Sequence, residues 1–232
     1  MADTFEFESD RAYGRIVELI FGGAVDPAKP LSERKLSERL GIGRMPVREA
    51  LRKLEREGVV EVKPARGTFI RTVSADDLTE VYELRESLEC LATRRAAMRG
   101  PSPALANCGA RLRVMGRDPS AFTSREIDDV GTEFHDALIE SAGSTPLEEM
   151  VRFMRMRFRL AFHLPRYFAH ELVAEILLEH IALFEAIANR SPDTAEDLMR
   201  AHLRRGLQIR LDLDRSSPNL QKLTSRPKEN IE

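Results

Sequence analysis

Three of the five histidines in this 232-residue chain lie where they could act together as metal ligands. His135, His180 and His202 each fall on the apolar face of a different predicted helix. A single histidine on such a face is more often a core residue whose hydrogen bonds are satisfied. Three neutral imidazoles from separate helices, however, are a usual way to hold zinc, nickel or another divalent ion. Such a site leaves coordination positions open for water or a ligand carboxylate, so the spacing predicts a divalent-metal site.

A second group of residues could read DNA. Arg44 lies just before a predicted helix and Arg48 follows four residues later, so both project from the N-terminal end of that helix. A guanidinium group can bond to the edge of guanine through two hydrogen bonds at once, which a lysine cannot do equally well. The two arginines therefore predict contacts with bases in the major groove.

Arginines in the C-terminal two thirds of the chain could bind an anionic small molecule. Arg85 lies in a long predicted helix, and Arg155 lies in the segment MVRFMRMRFRLAFH, where four arginines flank an apolar face. Most such arginines are solvated surface charges, but one or two inside a pocket would pair bidentately with a carboxylate. We take Arg85 and Arg155 as candidate effector contacts.

Two short amphipathic segments position Arg44 and Arg48. They are separated by Gly41-Ile42-Gly43, and both show the apolar spacing of helices. Ser32 is a suitable N-cap for the first segment, and Pro46 suits the opening turn of the second, where a missing N–H costs nothing. The pattern is that of a helix-turn-helix.

A hairpin is predicted directly after the second segment. Gly58 ends the helix, and the valines at 59, 60 and 62 favour a strand. Pro64-Ala65-Arg66-Gly67 has the composition of a turn, and residues 68–70 favour a returning strand. Helix, turn, helix and hairpin together form a winged helix.

The charge of this region differs from that of the rest of the chain. Residues 27–71 carry twelve Lys and Arg against six Asp and Glu, a net of +6; the whole chain has −2, so the remainder has −8. A basic block in a mildly acidic protein is expected of a module that neutralises phosphates, although a solvated face of mixed charge would look similar.

The chain is long enough and apolar enough for two globular domains. We expect a flexible N-terminal arm over residues 1–10, a winged helix-turn-helix domain over 11–72 with a first helix from Arg11 to Phe21, and a helical domain over 74–215. Residues 216–232 are polar and unpatterned and predict a frayed tail.

The second domain shows no convincing strand pattern. Its Pro- and Gly-containing stops predict about six helices, so we expect a mainly α protein whose C-terminal part is an all-α antiparallel helical bundle. Its first helix, Asp76 to Met98, is predicted to place one apolar stripe against the core. The members of that predicted stripe are Leu78, Tyr82, Leu88, Leu91 and Ala92.

The sequence also indicates a compartment. There is no run of about eighteen apolar residues, and the N-terminal segment is acidic where a secretory signal would be basic and then apolar. We expect a cytoplasmic protein without a membrane partner. Cys90 and Cys108 form no metal or disulfide motif, and we expect buried or half-buried side chains that are not nucleophiles.

Several segments together resemble the GntR superfamily of bacterial transcription regulators, in the FadR-like branch whose effector domain is called FCD. They are LSERKLSERLGIGRMPVREALRKLEREGVV, PARGTFI and DLTEVYELRESLE, and later EFHDALIESAG, EHIALFEAI and RAHL. The resemblance covers roughly Arg11 to Asp214. It implies a homodimer that binds a palindromic operator in double-stranded DNA, with a small molecule in the helical domain setting the affinity for DNA.

The resemblance also assigns residues. In the family, the arginines that match Arg34, Arg44 and Arg48 contact DNA, and the wing tip, here Arg66 and Gly67, approaches the minor groove. The effectors that the family senses are commonly carboxylates. This chain has Gly43 and Met45 where family members usually carry Ser or Thr, so two hydroxyl contacts with phosphate are absent.

A third departure concerns the metal site. In metal-binding FCD domains the fourth ligand is an Asp four residues before the first histidine, and here that position is Gly131. Asp128 is seven residues before His135, about 10 Å along a helix, which is too far to substitute. Three alternatives stay open: the histidines bind an ion with an extra water, an effector enters the space at Gly131, or the site holds nothing.

The sequence therefore predicts a DNA-binding transcription regulator, more specifically a repressor, and not an enzyme. One alternative is a regulator that senses the metal ion itself. A remote alternative is a metal-dependent hydrolase with metal-bound water as nucleophile. Against the hydrolase, no Glu has H-E-x-x-H spacing and no second carboxylate is placed as a general base.

Overall fold

The structure, a computed structural model, describes residues 7–162 and 169–216. Inside the helices, the side chains at 155, 156, 158–162 and 213–216 are outside this description. The expected arm before residue 7 and the expected tail after residue 216 also lie outside the described residues.

The N-terminal unit contains three helices followed by a two-stranded antiparallel hairpin. Its elements are α1 (Glu8–Phe21), α2 (Glu33–Leu40), α3 (Arg44–Arg56), β1 (Val60–Lys63) and β2 (Gly67–Ile70). Val60 pairs with Ile70 and Lys63 with Gly67, so the turn lies at residues 64–66. This order confirms the predicted winged helix-turn-helix.

The first helix begins earlier than predicted. It starts at Glu8 with Phe7 as its N-cap residue, whereas residues 1–10 were expected to form an arm and the helix to start at Arg11. The additional turn is polar and carries Glu8 and Asp10, which lie favourably at the positive end of the helix dipole. Apolar spacing cannot detect such a turn.

Local signals set the geometry of the helix-turn-helix. The Ser32 side chain accepts a hydrogen bond from the backbone N–H of Lys35, so it caps α2 as predicted. Gly41 ends α2 in the left-handed conformation at φ 65°, which glycine adopts at little cost. The Ser37 hydroxyl donates to the carbonyl of Ile42 at 2.6 Å and so fixes the turn. The core beneath includes fully buried Ile16, Val47 and Leu54.

The C-terminal unit is helical throughout its described residues, as predicted. Its helices are α4 (Ala75–Arg99), α5 (Pro103–Arg117), α6 (Ser124–Ser141), α7 (Thr145–Phe162), α8 (His170–Ala188) and α9 (Pro192–Ser216), with a 3₁₀ turn at Pro119–Ala121. Ser74 and Asp77 form a capping box at the start of α4, and this confirms the predicted helix start.

One boundary differs from the expected domains. The part of α7 from Phe153 onward groups with the N-terminal unit, although residues 74–215 were expected to form one domain. Within the C-terminal unit α4 packs against α6, α8 and α9. No helix among the described residues is long and apolar enough to cross a membrane.

The prediction for the buried stripe of α4 is partly wrong. Leu78, Tyr82 and Ala92 are buried, but Leu91 is 50% exposed. The buried side of α4 instead includes polar residues that are paired inside the unit, among them Arg85, Glu89 and Thr93. Because paired charges can be buried, the rule that apolar residues point inward misplaced Leu91.

Candidate nucleic-acid interface and candidate metal centre

The exposed side of α3 carries the two arginines predicted to read bases. Arg44 is the first residue of α3 and Arg48 lies one turn later, and both are exposed. The opposite side of α3 is fixed by buried Val47, Leu51 and Leu54. The helix can therefore present its N-terminal end to a groove while its apolar side stays in the core.

Two of the predicted DNA contacts form ion pairs in the free protein. The Arg48 guanidinium donates to both oxygens of Glu33, with Nη2 to Oε2 at 2.8 Å and Nε to Oε1 at 3.0 Å. Arg34 donates to Glu38 one turn along α2 at 2.8 Å. The hydrogen bonds from Arg48 lower the pKa of Glu33, so this carboxylate stays charged near neutral pH. Glu33 is a residue that sequence reasoning missed.

The wing tip is formed by the turn between β1 and β2. Ala65 and Gly67 both have positive φ, 59° and 108°, and Arg66 between them is exposed. The N–H of Leu31 donates to the carbonyl of Thr68 at 2.7 Å and ties the start of β2 to the segment before α2. Arg66 and Gly67 thus lie at an exposed tip, where the predicted minor-groove contact needs them.

The three predicted metal ligands converge. His135 lies on α6, His180 on α8 and His202 on α9. The Nε2 atom of His135 is 3.2 Å from Nε2 of His180 and 3.3 Å from Nε2 of His202. All three ligand atoms lie within 4.8 Å of one another. Two nitrogens bound to one tetrahedral ion at about 2.0–2.1 Å are about 3.3 Å apart, so the distances from His135 to the other two histidines fit a metal centre.

Carboxylates contact two of these imidazoles at Nδ1, the ring nitrogen on the side away from the other histidines. Nδ1 of His135 is 2.5 Å from Glu89, and Nδ1 of His202 is 2.7 Å from Glu179. Both acids have pKa values below the ordinary value, so each is an ionised acceptor and each Nδ1 carries the hydrogen. A neutral imidazole with its hydrogen on Nδ1 presents a lone pair at Nε2. Where two Nε2 atoms face one another, either a proton or a metal cation between them removes the repulsion of their lone pairs.

Glu89 is buried between two partners. Its side chain accepts from Arg85 Nε at 2.6 Å on one oxygen and contacts His135 on the other. Burial raises the pKa of this carboxyl, but the charges and hydrogen bonds of Arg85 and His135 lower the pKa by more. Sequence reasoning missed Glu89 and Glu179. The signals were the i, i+4 spacing of Arg85 and Glu89, and a Glu one residue before His180.

Burial favours the neutral form of two of the imidazoles, those of His180 and His202. It lowers the pKa of His180 well below 6.5, and a charge on His202 or His135 would lower it further. Burial also lowers the pKa of His202, although Glu179 opposes this shift. Neutral imidazoles are the form that binds a metal, so these two histidines are ready to coordinate at neutral pH.

The Gly131 position is filled by a neighbouring ring. A Cβ atom added at Gly131 would lie 2.8 Å from Cε1 of His180 and 3.1 Å from its Nδ1. The imidazole of His180 therefore occupies the place that a side chain at 131 would need. An effector that contacts Gly131 would first have to displace this ring.

The structure describes the side chain of one of the two candidate effector arginines. Arg85 is buried beside the histidines through Glu89, and its guanidinium lies 5.2 Å from the centre of the Tyr82 ring. The side chain of Arg155 lies outside the described residues. Arg210 on α9 is also buried, and sequence reasoning missed it. Burial lowers the pKa of Arg210, while Tyr82 and Asp128 oppose the shift.

Cys90 and Cys108 are free and buried, as predicted. Burial raises the pKa of each thiol to about 11. Both thiols are therefore protonated near neutral pH, and neither is a nucleophile.

A winged helix-turn-helix with exposed arginines, followed by a helical domain with an internal polar site, defines a two-domain DNA-binding regulator. Residues 8–70 match the family of bacterial regulatory proteins called gntR, and residues 80–205 match the FCD domain. The chain therefore belongs to the GntR family of transcription regulators, in the FadR-like branch with an FCD C-terminal domain. This is a family of transcription regulators and not of enzymes, so the hydrolase alternative is wrong.

Relatives agree with this assignment. The HTH-type transcriptional repressor RspR of Escherichia coli (strain K12) is 27% identical over 183 residues, which cover 77% of this chain and 78% of RspR. The HTH-type transcriptional repressor GlaR of the same strain is 26% identical over 191 residues, 79% of this chain and 87% of GlaR. The solved structure of E. coli McbR/YncC has the same fold, with a TM-score of 0.73 and 21% identity over 90% of this chain and 99% of that one.

We predict that Glu33→Gln strengthens binding of the free protein to DNA of unrelated sequence. The substitution removes the carboxylate that pairs with Arg48 and so frees a guanidinium for phosphate. Because an exposed ion pair contributes about 0–1 kcal/mol, we expect a gain of up to about five-fold at low salt and a salt slope steeper by about one phosphate contact. Fluorescence anisotropy over a salt series measures both.

The control for Glu33→Gln is Glu55→Gln on α3, where an exposed carboxylate is also removed. If both variants gain equally, the effect comes from net charge and not from the pair with Arg48. A weaker affinity in Glu33→Gln would show that the carboxylate positions Arg48 for DNA.

We also predict that metal-free protein loses stability as the pH falls below about 6.5, where an exposed histidine begins to titrate. The folded pKa of His180 lies below that value. At a pH between the folded and the unfolded pKa of His180, the unfolded chain binds more protons than the folded protein. The free energy of unfolding therefore decreases by about 1 kcal/mol for each unit by which the pH is lowered in this range, and it is unchanged at a pH above the unfolded pKa. Urea denaturation of chelator-treated protein measures the slope.

His180→Leu should flatten this slope because the group is removed from both states. His170→Leu changes a histidine at the start of the same helix but outside the cluster, so it is the matched control. Equal slopes in wild type and His180→Leu would contradict the assigned shift.

Proposed function

We propose that this chain is a repressor whose affinity for its operator is set by a small anionic effector, in the class of carboxylates, bound in the C-terminal unit beside a three-histidine metal centre. It would bind a palindromic operator as a homodimer. Arg44 and Arg48 would read bases from α3. Arg34 would contact DNA from α2, and Arg66 and Gly67 would approach the minor groove. RspR and GlaR are named repressors, and this supports repression rather than activation.

The observation that carries the proposal is the buried convergence of three imidazoles with two arginines. Arg85 and Arg210 are 7% and 8% exposed, and the charge of Arg85 acts on His180, His202 and Arg210 alike. These groups therefore share one region of the unit. Arg85 is already paired with the carboxylate of Glu89, so an incoming anion would share this arginine or replace that pairing. Burying a carboxylate requires charged and hydrogen-bonding partners of this kind.

The fit of a divalent ion rests on the donor set. Nε2 atoms of His135 and His202 face one another as lone-pair donors, and His180 supplies the third nitrogen. Zinc or nickel accepts three imidazole nitrogens. A bound ion would supply open coordination positions for a ligand carboxylate. Glu89 and Glu179 would keep their imidazoles oriented through Nδ1.

Regulation would follow from linkage between the two sites. An effector changes operator affinity only by as much as it prefers one conformation of the protein over another. A change of two to three orders of magnitude in operator affinity needs about 3–4 kcal/mol of such preference. One or two charged hydrogen bonds that form in only one state would supply this amount.

We predict that a carboxylate stabilises the zinc-loaded protein and changes its operator affinity by about a hundred-fold or more. Mono-, di- and tricarboxylates are screened by thermal shift against amides of the same size. Each that binds is then tested by mobility shift on the DNA upstream of the gene. Arg85→Lys keeps the charge beside Glu89 but loses the bidentate geometry, so it should lose the response. Arg155→Lys tests the other predicted contact. Operator binding unchanged by every carboxylate that binds would contradict the proposal.

We predict about one equivalent of divalent metal per chain in the purified protein. His180→Ala should lose the metal, because the remaining two imidazoles make a weaker site. His170→Ala on the same helix should keep it. Elemental analysis measures the content, and protein that holds no metal after incubation with zinc would contradict the site.

The spacing of the three Nε2 atoms also favours a second candidate, a regulator that senses the ion itself. Titration of operator binding with zinc or nickel, without an organic ligand, separates the two. A metal sensor responds to the ion alone, whereas a metabolite sensor responds only after a carboxylate is added.

A further inference from the structure

The carboxylate of Glu33 lies among the exposed arginines at the start of α3. The hydrogen bonds from Arg48 lower its pKa, and the charges of Arg52 and Arg44 lower this pKa as well. A negative charge is unexpected on a surface that neutralises phosphates, because it repels the DNA backbone. What Glu33 contributes must therefore be something other than attraction to DNA.

The ion pair of Glu33 with Arg48 adds little to the stability of the fold. The two side chains are 37% and 46% exposed, and water screens exposed pairs of this kind. Buried apolar residues already hold the two helices, among them Leu36 of α2 and Val47 of α3. The effect of the pair is therefore on the guanidinium itself.

The pair has a geometry that fixes the plane of the guanidinium. Arg48 donates from Nε to Oε1 of Glu33 at 3.0 Å and from Nη2 to Oε2 at 2.8 Å. Two parallel hydrogen bonds between planar groups prevent the rotation that a single hydrogen bond permits. The carboxylate of Glu33 thus determines how the end of the Arg48 side chain is oriented.

The pairing leaves one edge of the Arg48 guanidinium with its hydrogens. A guanidinium has five N–H hydrogens, one on Nε and two on each of the terminal nitrogens. The contacts with Glu33 use the hydrogen of Nε and one hydrogen of Nη2. The edge between Nη1 and Nη2 therefore keeps one hydrogen from each nitrogen. Guanine offers N7 and O6 side by side in the major groove, and this edge can donate to both.

The backbone holds Glu33 in a defined place. It is the first residue of α2 and follows directly after the Ser32 cap. Leu31, which is 8% exposed, donates its N–H to the carbonyl of Thr68 in the wing at 2.7 Å. A carboxylate in the first turn of a helix is also stabilised by the helix dipole. Arg48 is therefore oriented by a group that is itself well anchored.

A neighbouring ion pair lacks this geometry. Arg34 donates to Glu38 one turn along α2 through Nη1 alone, at 2.8 Å. These side chains are 58% and 60% exposed, and one hydrogen bond leaves the guanidinium free to rotate. Glu38 is therefore a matched control for Glu33, because its loss removes the same charge from the same helix without releasing a fixed arginine.

We propose that Glu33 is a positioning residue for base recognition, which holds Arg48 with its Nη1–Nη2 edge directed away from the carboxylate and towards N7 and O6 of a guanine. The inference rests on the proposed function and deepens it, since the orientation of Arg48 matters only if Arg48 reads a base. Glu33 raises specificity in two ways. It lowers the cost of ordering Arg48 at the correct base, and it repels phosphate on DNA that offers no such base.

Selection from a random duplex library tests this specificity without a known operator. Full-length wild type, Glu33→Gln, Arg48→Ala and the double variant each select from the same library, and sequencing gives the base preference at every position. The position that loses its guanine preference in Arg48→Ala is the one that Arg48 reads. We expect Glu33→Gln to weaken this preference about five-fold, or about 1 kcal/mol, and to leave the other positions unchanged. The double variant should match Arg48→Ala, because Glu33 acts through Arg48.

A ratio of affinities separates orientation from net charge. Fluorescence anisotropy measures binding to the sequence that wild type selects and to a duplex of unrelated sequence. We expect the ratio of the two affinities to fall about five-fold in Glu33→Gln and to stay unchanged in Glu38→Gln, because net charge acts on both duplexes alike. Glu33→Asp keeps the charge but shortens the side chain, so it should lower the ratio without a gain on unrelated DNA.

The outcomes distinguish this inference from the proposed function. Far-UV circular dichroism confirms that each variant is folded. A guanine preference that is unchanged in Glu33→Gln would overturn the inference alone. A double variant with less sequence preference than Arg48→Ala would also overturn it, since Glu33 would then read a base itself. Wild type that selects no sequence, or Arg48→Ala that keeps every preference, would overturn base reading by Arg48 and the inference with it.

Discussion

The C-terminal unit depends on one buried carboxylate, that of Glu89. It is 3% exposed and contacts Arg85 of its own helix and His135 of α6. Moving an ionised carboxylate out of water is costly unless charged partners with good geometry surround it. The packing of α4 on α6 must therefore keep both partners in place, because a shift that breaks one contact leaves a buried charge without compensation.

This constraint connects the histidine cluster to the rest of α4. The same Glu89 that fixes the tautomer of His135 also fixes which side of α4 faces the unit, and so it leaves Leu84, Leu91 and Met98 outside. The polar groups around the histidines and the exposed apolar residues thus lie on opposite sides of α4.

Sequence reasoning was most successful where a short local signal determines the structure. The turn at Gly41, the cap at Ser32 and the hairpin up to Ile70 depend on neighbouring residues, and the structure confirms them. The histidines were found because three on separate apolar faces are unusual. Their carboxylate partners were missed, because Glu89 is 46 residues from His135 and only the fold brings them together.

The error at Leu91 has the same origin. An apolar pattern assigns the inward side of a helix only when that side is apolar, and α4 buries Arg85 and Glu89 instead. A charged pair spaced i, i+4 looks like a solvated surface pair in the sequence, and its burial depends on a third partner from another helix. Such a helix is assigned correctly only when its tertiary neighbours are known.

Two glycines show that the loss of a side chain can have opposite consequences. At Gly43, the N-cap of α3, no side chain caps the helix, so the first N–H groups of α3 stay available to a phosphate where the family usually supplies a hydroxyl. At Gly131 the missing side chain leaves no opening, because the ring of His180 lies where a Cβ would be. The family's Asp and this position of His180 therefore exclude each other. A metal ion at this place would therefore be held by the three imidazoles alone, with water or a ligand in the remaining coordination positions.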